Sequence, residues 1–322
     1  MPMKPIRRML TFAPLAAALS TGAQAQAYPA KPIRVVVPYP VGGAVDIMTR
    51  LITAHMQQTL GQAVVVENRP GANANLGPDH VSNAAPDGYT VLATATYLIA
   101  NPLVEGDKLR WSPASFVPVA RFTTAPNLFV VPAASRLRSI RDLVAAAKAQ
   151  PKGLNYGEAG PGAPQTMAIE MLKTVAGIDM QAVTYKGSPP VIGDLVNETL
   201  AMSVLPLSVA MGAIQGGRIR AIASTSNQRS ALLPEVPTMA EAGYPEVTVV
   251  SWYGFHVPTG TPDEVVARLA AAVAAAAASE EVRTRTTGVG GEIAYLSTKE
   301  FRSFLQEDLA RWKKFVQALS PR

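Results

Sequence analysis

The chain is 322 residues long, 48% hydrophobic and only 16% charged, which gives it ample material for one large core or two ordinary ones and excludes intrinsic disorder. Its formal charge is +6, but Lys4, Arg7 and Arg8 precede any other charged residue, so the rest of the chain carries only +3. With no cysteine, disulfides and thiol chemistry are excluded, and no basic run with interleaved aromatics points to a nucleic acid.

Those first cations lead into an apolar run over residues 9–19, and small and polar residues follow it up to Ala25-Gln26-Ala27. This order predicts a secretory signal peptide over residues 1–27, with Ala-x-Ala frames ending at Ala25 and at Ala27, the second favoured. The apolar run falls short of the roughly 20 residues of a membrane-spanning helix. No later stretch reaches that length without charges or turn residues, so a soluble, periplasmic protein is expected.

From Ile33 onward, short apolar runs alternate with longer segments of helical period, the pattern of parallel strands covered by helices. Strands are predicted at residues 33–37, 64–67 and 90–93. A helix with Ile47, Leu51 and Ala54 on one face runs to a stop at Gly61. Residues 70–75 read as a loop and 79–84 as a short helix ended by Pro86-Asp87-Gly88. After a crossing segment at 116–123, a second alternating series starts with a strand at 128–131. It continues as helix 139–150, strand 154–156, helix 166–175, strand 182–185, helix 191–197 and strand 219–224. A return strand at 252–257 precedes an Ala-rich helix over 262–279 and an amphipathic helix over 299–319, whose stripe Phe301, Leu305, Trp312, Phe315 and Leu319 reads as core.

Two Gly-rich strand-to-helix turns are the candidate chemistry. In Pro38-Tyr39-Pro40-Val41-Gly42-Gly43-Ala44-Val45-Asp46, a helix start should expose backbone N–H donors that can hold a carboxylate without a basic side chain. Asp46 either stabilises that helix terminus or faces the cleft. The second turn, Gly157-Glu158-Ala159-Gly160-Pro161-Gly162-Ala163-Pro164, precedes the helix of Thr166, and two facing donor sets suggest a pincer. Neither turn has the Lys-Ser/Thr ending of a phosphate loop, and the dinucleotide fingerprint and the nucleophile elbow are absent. His55, His80 and His256 lack metal-ligand spacing, so no metal and no cofactor are expected.

Across nearly the whole mature chain the sequence resembles the Bug solute-binding proteins, the substrate-binding components of tripartite tricarboxylate transporters. The resemblance is carried by Tyr28-Pro29-Ala30-Lys31-Pro32-Ile33, by Gly42-Gly43 with Asp46, and by Val64-Val65-Val66-Glu67-Asn68-Arg69-Pro70-Gly71-Ala72. Further along it rests on Pro86-Asp87-Gly88-Tyr89-Thr90, Tyr185-Lys186-Gly187-Ser188, Leu233-Pro234-Glu235-Val236-Pro237-Thr238, Glu241-Ala242-Gly243 and Trp252-Tyr253-Gly254. It implies an α/β fold of the type II periplasmic-binding-protein kind, two lobes joined by a two-strand hinge with the ligand cleft between them. The lobes are drawn at 28–125 plus 251–322 and at 126–250.

The ligand residues it implies are Tyr39, Gly42, Gly43 and Asp46 of the first turn, Thr94 and Thr96 after the third strand, and Glu158, Ala159, Gly160, Gly162 and Thr166 of the second turn. Tyr185 and Gly187 would support them. Family ligands are mostly small carboxylic acids, captured for membrane transporter subunits; the sequence carries no strong sign of oligomerisation, and a monomer is the default. A sensor-kinase ectodomain as partner, or a secreted enzyme on the same scaffold, are the alternatives. The chain departs from the family pattern at Val41, at Glu158 where serine is usual, at Thr166 where histidine is common, and at Ala201 and Leu205, often acidic. Glu158 either faces the cleft, favouring a ligand with a donor group beside its acid, or points outward into solvent.

Overall fold

The computed structural model describes residues 28–160 and 162–319, so the expected signal peptide lies outside the described residues. The first half contains β1 (Ile33–Val37), α1 (Ala44–Leu60), β2 (Val64–Asn68), α2 (Leu76–Ser82), β3 (Thr90–Thr94) and α3 (Tyr97–Glu105). Gly61 ends α1 in the left-handed region, φ 66°, with its N–H on the Gln57 carbonyl at 3.0 Å. There follow β4 (Phe116–Pro132), α4 (Ile140–Ala149), β5 (Asn155–Glu158), α5 (Pro164–Ala176), β6 (Gln181–Thr184) and α6 (Pro189–Val196). Then come β7 (Met202–Pro206), α7 (Leu207–Gln215) and β8 (Ile219–Ser224). The chain closes with β9 (Val250–Pro258), α8 (Asp263–Ala278), α9 (Glu280–Gly288), β10 (Glu292–Leu296) and α10 (Thr298–Leu319).

Two α/β lobes share two long strands. In the first, β2, β1 and β3 are parallel and β9 joins β3 antiparallel. In the second, β6, β5 and β7 are parallel, and β4 pairs antiparallel with β7 and β8. β4 and β9 run together from Phe116↔Pro258 to Pro126↔Val250, and one residue later Asn127 pairs with Pro206 of β7. The passage between lobes therefore lies at the end of that shared ladder, as a two-strand hinge.

One core cluster belongs to the first lobe and another bridges the two. Val35, Val36, Met48 and Ile52 pack with Val265, Leu269 and Val273 of α8 in the first. A second cluster joins Phe129, Leu143, Ile169 and Leu172 to Trp252, Phe301 and Trp312. The last two are 0% and 1% exposed, and burying each contributes about 1.5–3 kcal/mol. The indole N–H of Trp252 donates to Asp308 at 2.8 Å, tying α10 to a hinge strand.

Several expectations change. The buried face of α1 is Met48, Ile52 and Met56, while Ile47 and Leu51 are half-buried and Ala54 is exposed. The crossing segment and the strand after it are one 17-residue strand, β4. The loop at 70–75 contains a 3-10 turn, Ala72–Ala74, whose three residues all have positive φ. Five elements, α3, β7, α7, α9 and β10, had no sequence prediction. α3 carries Pro102 inside it, and β7 is fully buried and so shows no alternation. In α10, Leu305 and Phe315 are half-buried, and the side chain of Leu319 lies outside the described residues.

Candidate functional site

The cleft between the lobes holds about 440 Å³ of space, its mouth included. One wall is Tyr39, Pro40 and the start of α1 at Gly43, Ala44 and Val45, with Ala95 beyond β3. The other is Ala159, the start of α5 at Ala163, Pro164 and Gln165, and Ser188 with Pro189 at the start of α6. Ser251 and Tyr253 of the hinge strand β9, with Pro206 at the end of β7, form the floor. No lining residue carries a formal charge.

The donors come from main chain. The Gly42 N–H is already taken by Asp46 Oδ2 at 3.0 Å and the Gly43 N–H by the Pro40 carbonyl at 3.1 Å. The turn's own glycines are thus spent on shaping it, contrary to the expectation of free glycine amides. The first helical bond runs from the Ile47 N–H to the Gly43 carbonyl at 2.9 Å, so the amides of Ala44, Val45 and Asp46 lack intrahelical acceptors, and no side chain caps them. α5 repeats the arrangement: Pro164 has no N–H, the Met167 N–H reaches the Ala163 carbonyl at 3.1 Å, and the Gln165 and Thr166 amides have no helical acceptor. α7, with Pro206 as its N-cap residue, adds another uncapped helix N-terminus at the same space; α6 is uncapped there too, but its first two residues, Pro189 and Pro190, have no N–H to give. Helix dipoles aimed together make a net positive potential without a cation.

Asp46 is 2% exposed and turned into the protein, where its carboxylate also accepts from Arg50 Nε and Asn68 Nδ2, both at 2.9 Å. Burial acts to raise its pKa, but the bonds from Arg50, the Gly42 amide and Asn68 outweigh it and hold the carboxyl below the usual range. Of its two possible roles, the structure shows the helix-terminus one. Tyr39 and Tyr253 present phenols whose pKa values burial pushes well up, so both remain protonated donors.

A second space of about 660 Å³ adjoins the cleft and shares Tyr39, Pro40 and Ala159 with it; Asn73, Tyr185, Lys186 and Gly187 also line it. Thus Tyr39, Gly43 and Ala159 line the cleft, and Tyr185 and Gly187 the adjoining space. The Tyr185 hydroxyl, its pKa pushed up to about 12 by burial and by Asp194, donates to that carboxylate.

The remaining expected residues line neither space. Gly42 is exposed. Thr94 bonds His256 Nδ1 at 2.9 Å, and Thr96 is the N-cap residue of α3, leaving Ala95 between them to face the cleft. Glu158 accepts from Thr184 Oγ1 at 2.7 Å on the neighbouring strand and lines neither space, so it is turned away from the cleft. Thr166 Oγ1 donates to the Gly160 carbonyl at 2.7 Å, holding the turn's shape. Gly160 and Gly162 abut Asn73 and Asn101 of the opposite lobe.

Sequence reasoning missed Gln165, Ser188, Pro206, Ser251 and Tyr253 as lining residues. Ser251 and Tyr253 lie two apart in β9 and so share a face, a signal present around the Trp252-Tyr253-Gly254 motif. Gln165 sits directly after the Ala163-Pro164 helix start.

The chain's residues 48–320 match the model of the tripartite tricarboxylate transporter family receptor. It belongs to this family. The receptor is 36% identical over 316 residues to the UPF0065 protein in the tcbD-tcbE intergenic region of Pseudomonas sp. (strain P51), covering 97% of this chain and 94% of that one. Among solved structures it is similar to Rpa4515 of R. palustris with adipate, at 32% identity and TM-score 0.87 over 90% of this chain and 97% of that one. It is also similar to MatC of Rhodopseudomonas palustris with bound malate, at 31% identity and TM-score 0.84 over 90% and 100%. The two-lobed receptor fold is thereby shown, and the chain is a solute-binding receptor by family.

Proposed function

We propose that this receptor, exported to the periplasm as a monomer, captures a small carboxylic acid between its lobes and passes it to the membrane subunits of a tripartite tricarboxylate-type transporter. The observation that carries the reading is the convergence of the α1, α5 and α7 N-termini, with free amides and no charged side chain, on one cleft. The bound malate and adipate of the two solved relatives support it. The lobes are residues 28–125 with 251–322 and residues 126–250, and they close around the ligand by motion at the β4 and β9 crossing. The lining carries no carboxylate, imidazole or thiol, which favours binding without turnover.

Thermal unfolding of the purified receptor, freed of co-purified ligand, tests this against malate, adipate and other small mono- and dicarboxylates. An acid present at a hundredfold its Kd adds about 2.7 kcal/mol of stability, a readily measured rise in Tm. A panel in which no acid raises the Tm overturns the carboxylate reading. Ligand-dependent retention on the transporter's membrane subunits tests the delivery step.

A further inference from the structure

The cleft lining offers main-chain amides and hydroxyls; Gln165 adds an amide oxygen, which can only accept. It is 6% exposed and lines the cleft, and its amide is oriented from behind by a buried network. Asn127 Nδ2 donates to the Val249 carbonyl at 3.0 Å, which fixes Asn127 Oδ1 on the opposite side. That oxygen accepts from Gln165 Nε2 at 2.5 Å and from Ser251 Oγ at 3.0 Å, and Gln165 Nε2 also meets Ser251 Oγ at 3.3 Å. An amide nitrogen has two hydrogens, and both are used. Turning Gln165 over would set its oxygen against Asn127 Oδ1, and turning Asn127 over would set its oxygen against the Val249 carbonyl, so neither flip is available. Gln165 Oε1 is left as an acceptor with no partner among the described residues, on a side chain that borders the ligand space.

We propose that Gln165 Oε1 sets the ligand class: the receptor takes a carboxylic acid that also bears a neutral hydrogen-bond donor, a hydroxyl or a carboxamide N–H. This rests on the carboxylate reading above. The amides of the helix starts hold the acid group, and the donor group bonds Gln165. A plain acid of the same size leaves Oε1 buried and unpaired, which is the costly case for any polar group. A neutral donor suits the site better than an ammonium, because no lining carboxylate compensates a buried positive charge. Gln165 lies in contact with Asn127 and Ser251 of the two hinge strands, so a donor seated on it also touches the network on which the lobes turn.

Calorimetric titration of the purified receptor with matched acids tests the proposal: lactate, propionate and 2-fluoropropionate, and malate, succinamate and succinate. Lactate is expected to bind at least about tenfold tighter than propionate, with 2-fluoropropionate, of similar size but without a donor, close to propionate. Malate and succinamate are expected to exceed succinate likewise. In Gln165→Met the ratio of lactate to propionate affinity, both measured in the same variant, falls to within about twofold. Equal affinity for the donor-bearing and plain members of both series overturns the proposal in the unaltered receptor, whatever the variant's stability. An undiminished preference in a folded Gln165→Met overturns it too. Binding of no acid at all overturns the carboxylate reading, and this inference with it.

Discussion

In the proposed closure of the lobes, their approach depends on Gly162 having no side chain, and Gly162→Ala is the perturbation that measures it. An alanine Cβ there would lie 1.8 Å from Asn101 Oδ1 and 3.0 Å from its Cγ, well inside contact distance. Asn101 cannot yield freely. It is 1% exposed, and its Nδ2 donates to the Asn73 carbonyl at 2.7 Å and to Asn75 Oδ1 at 2.8 Å. Asn101 stands in α3 and Gly162 just before α5, so the clash falls where the two lobes approach each other. Relief requires either rotating Asn101 out of its two bonds or holding the lobes apart. Leaving buried groups unpaired costs about 1–3 kcal/mol, which is about a 5- to 150-fold weaker apparent Kd when charged against the closed state. Calorimetric titration with the best acid reads the affinity, and small-angle scattering reads the lobe separation. The double variant Asn101→Ala/Gly162→Ala restores the space and should recover part of the loss. A Gly162→Ala receptor with unaltered affinity and a compact liganded form would refute the reasoning.

Other outcomes follow from the same geometry. Glu158→Gln should leave affinity and ligand ranking within about twofold, because Glu158 is occupied by Thr184 outside the cleft; a reordered ranking in the same titrations would place it in the site. Asp46→Ala, read by urea unfolding, should cost about 1–3 kcal/mol by leaving the Gly42 amide and the Asn68 amide without their acceptor. Since the folded Asp46 pKa is depressed, that contribution is present above the ordinary carboxylate pKa and fades as pH falls below about 4, so the gap between the two proteins should narrow there. Burial holds the His256 imidazole at about 3, below its unfolded value. The unfolded chain therefore takes up a proton near pH 6.5 that the folded one refuses, and stability should decline from there toward pH 3 by up to about 1.4 kcal/mol per unit. Tm measured against pH for His256→Gln should lack that limb; an identical profile would show that another group carries it.

The alternation of strands and helices was legible because it is written in period. β1 matches its expected bounds, and Gly61, Ser139 and Pro262 mark helix ends where they were expected, each through a local conformational rule that needs no tertiary partner. The buried side of α1 was not legible. Its sequence carries two adjacent apolar stripes, Ile47 with Leu51 and Met48 with Ile52 and Met56, and only the approach of α8 and the sheet selects the second. The β7 and α7 pair escaped for a similar reason: a strand buried on both faces runs straight through Pro206 into a helix, with neither alternation nor a polar turn to separate them.

The site divides along the same line. The groups proposed to hold a carboxylate are main chain, so the sequence shows them only as the glycines and prolines that shape two turns. Even then the assignment went to Gly42 and Gly43 when the unspent amides are one to three residues further on, because no sequence reveals that Asp46 and Pro40 have already claimed the glycine N–H groups. The groups proposed to discriminate between acids are side chains: Gln165 and Ser251 stand in no motif, and Tyr253 stands in the Trp252-Tyr253-Gly254 motif without marking its role. Two come from a hinge strand and one from a helix start, and they meet only because β9 crosses between the lobes beside the start of α5. A binding surface assembled in this way lets its ligand class change at such side chains while the turns that position the amides stay as they are. On the proposed reading, specificity in this receptor rests on residues that its turn motifs do not name.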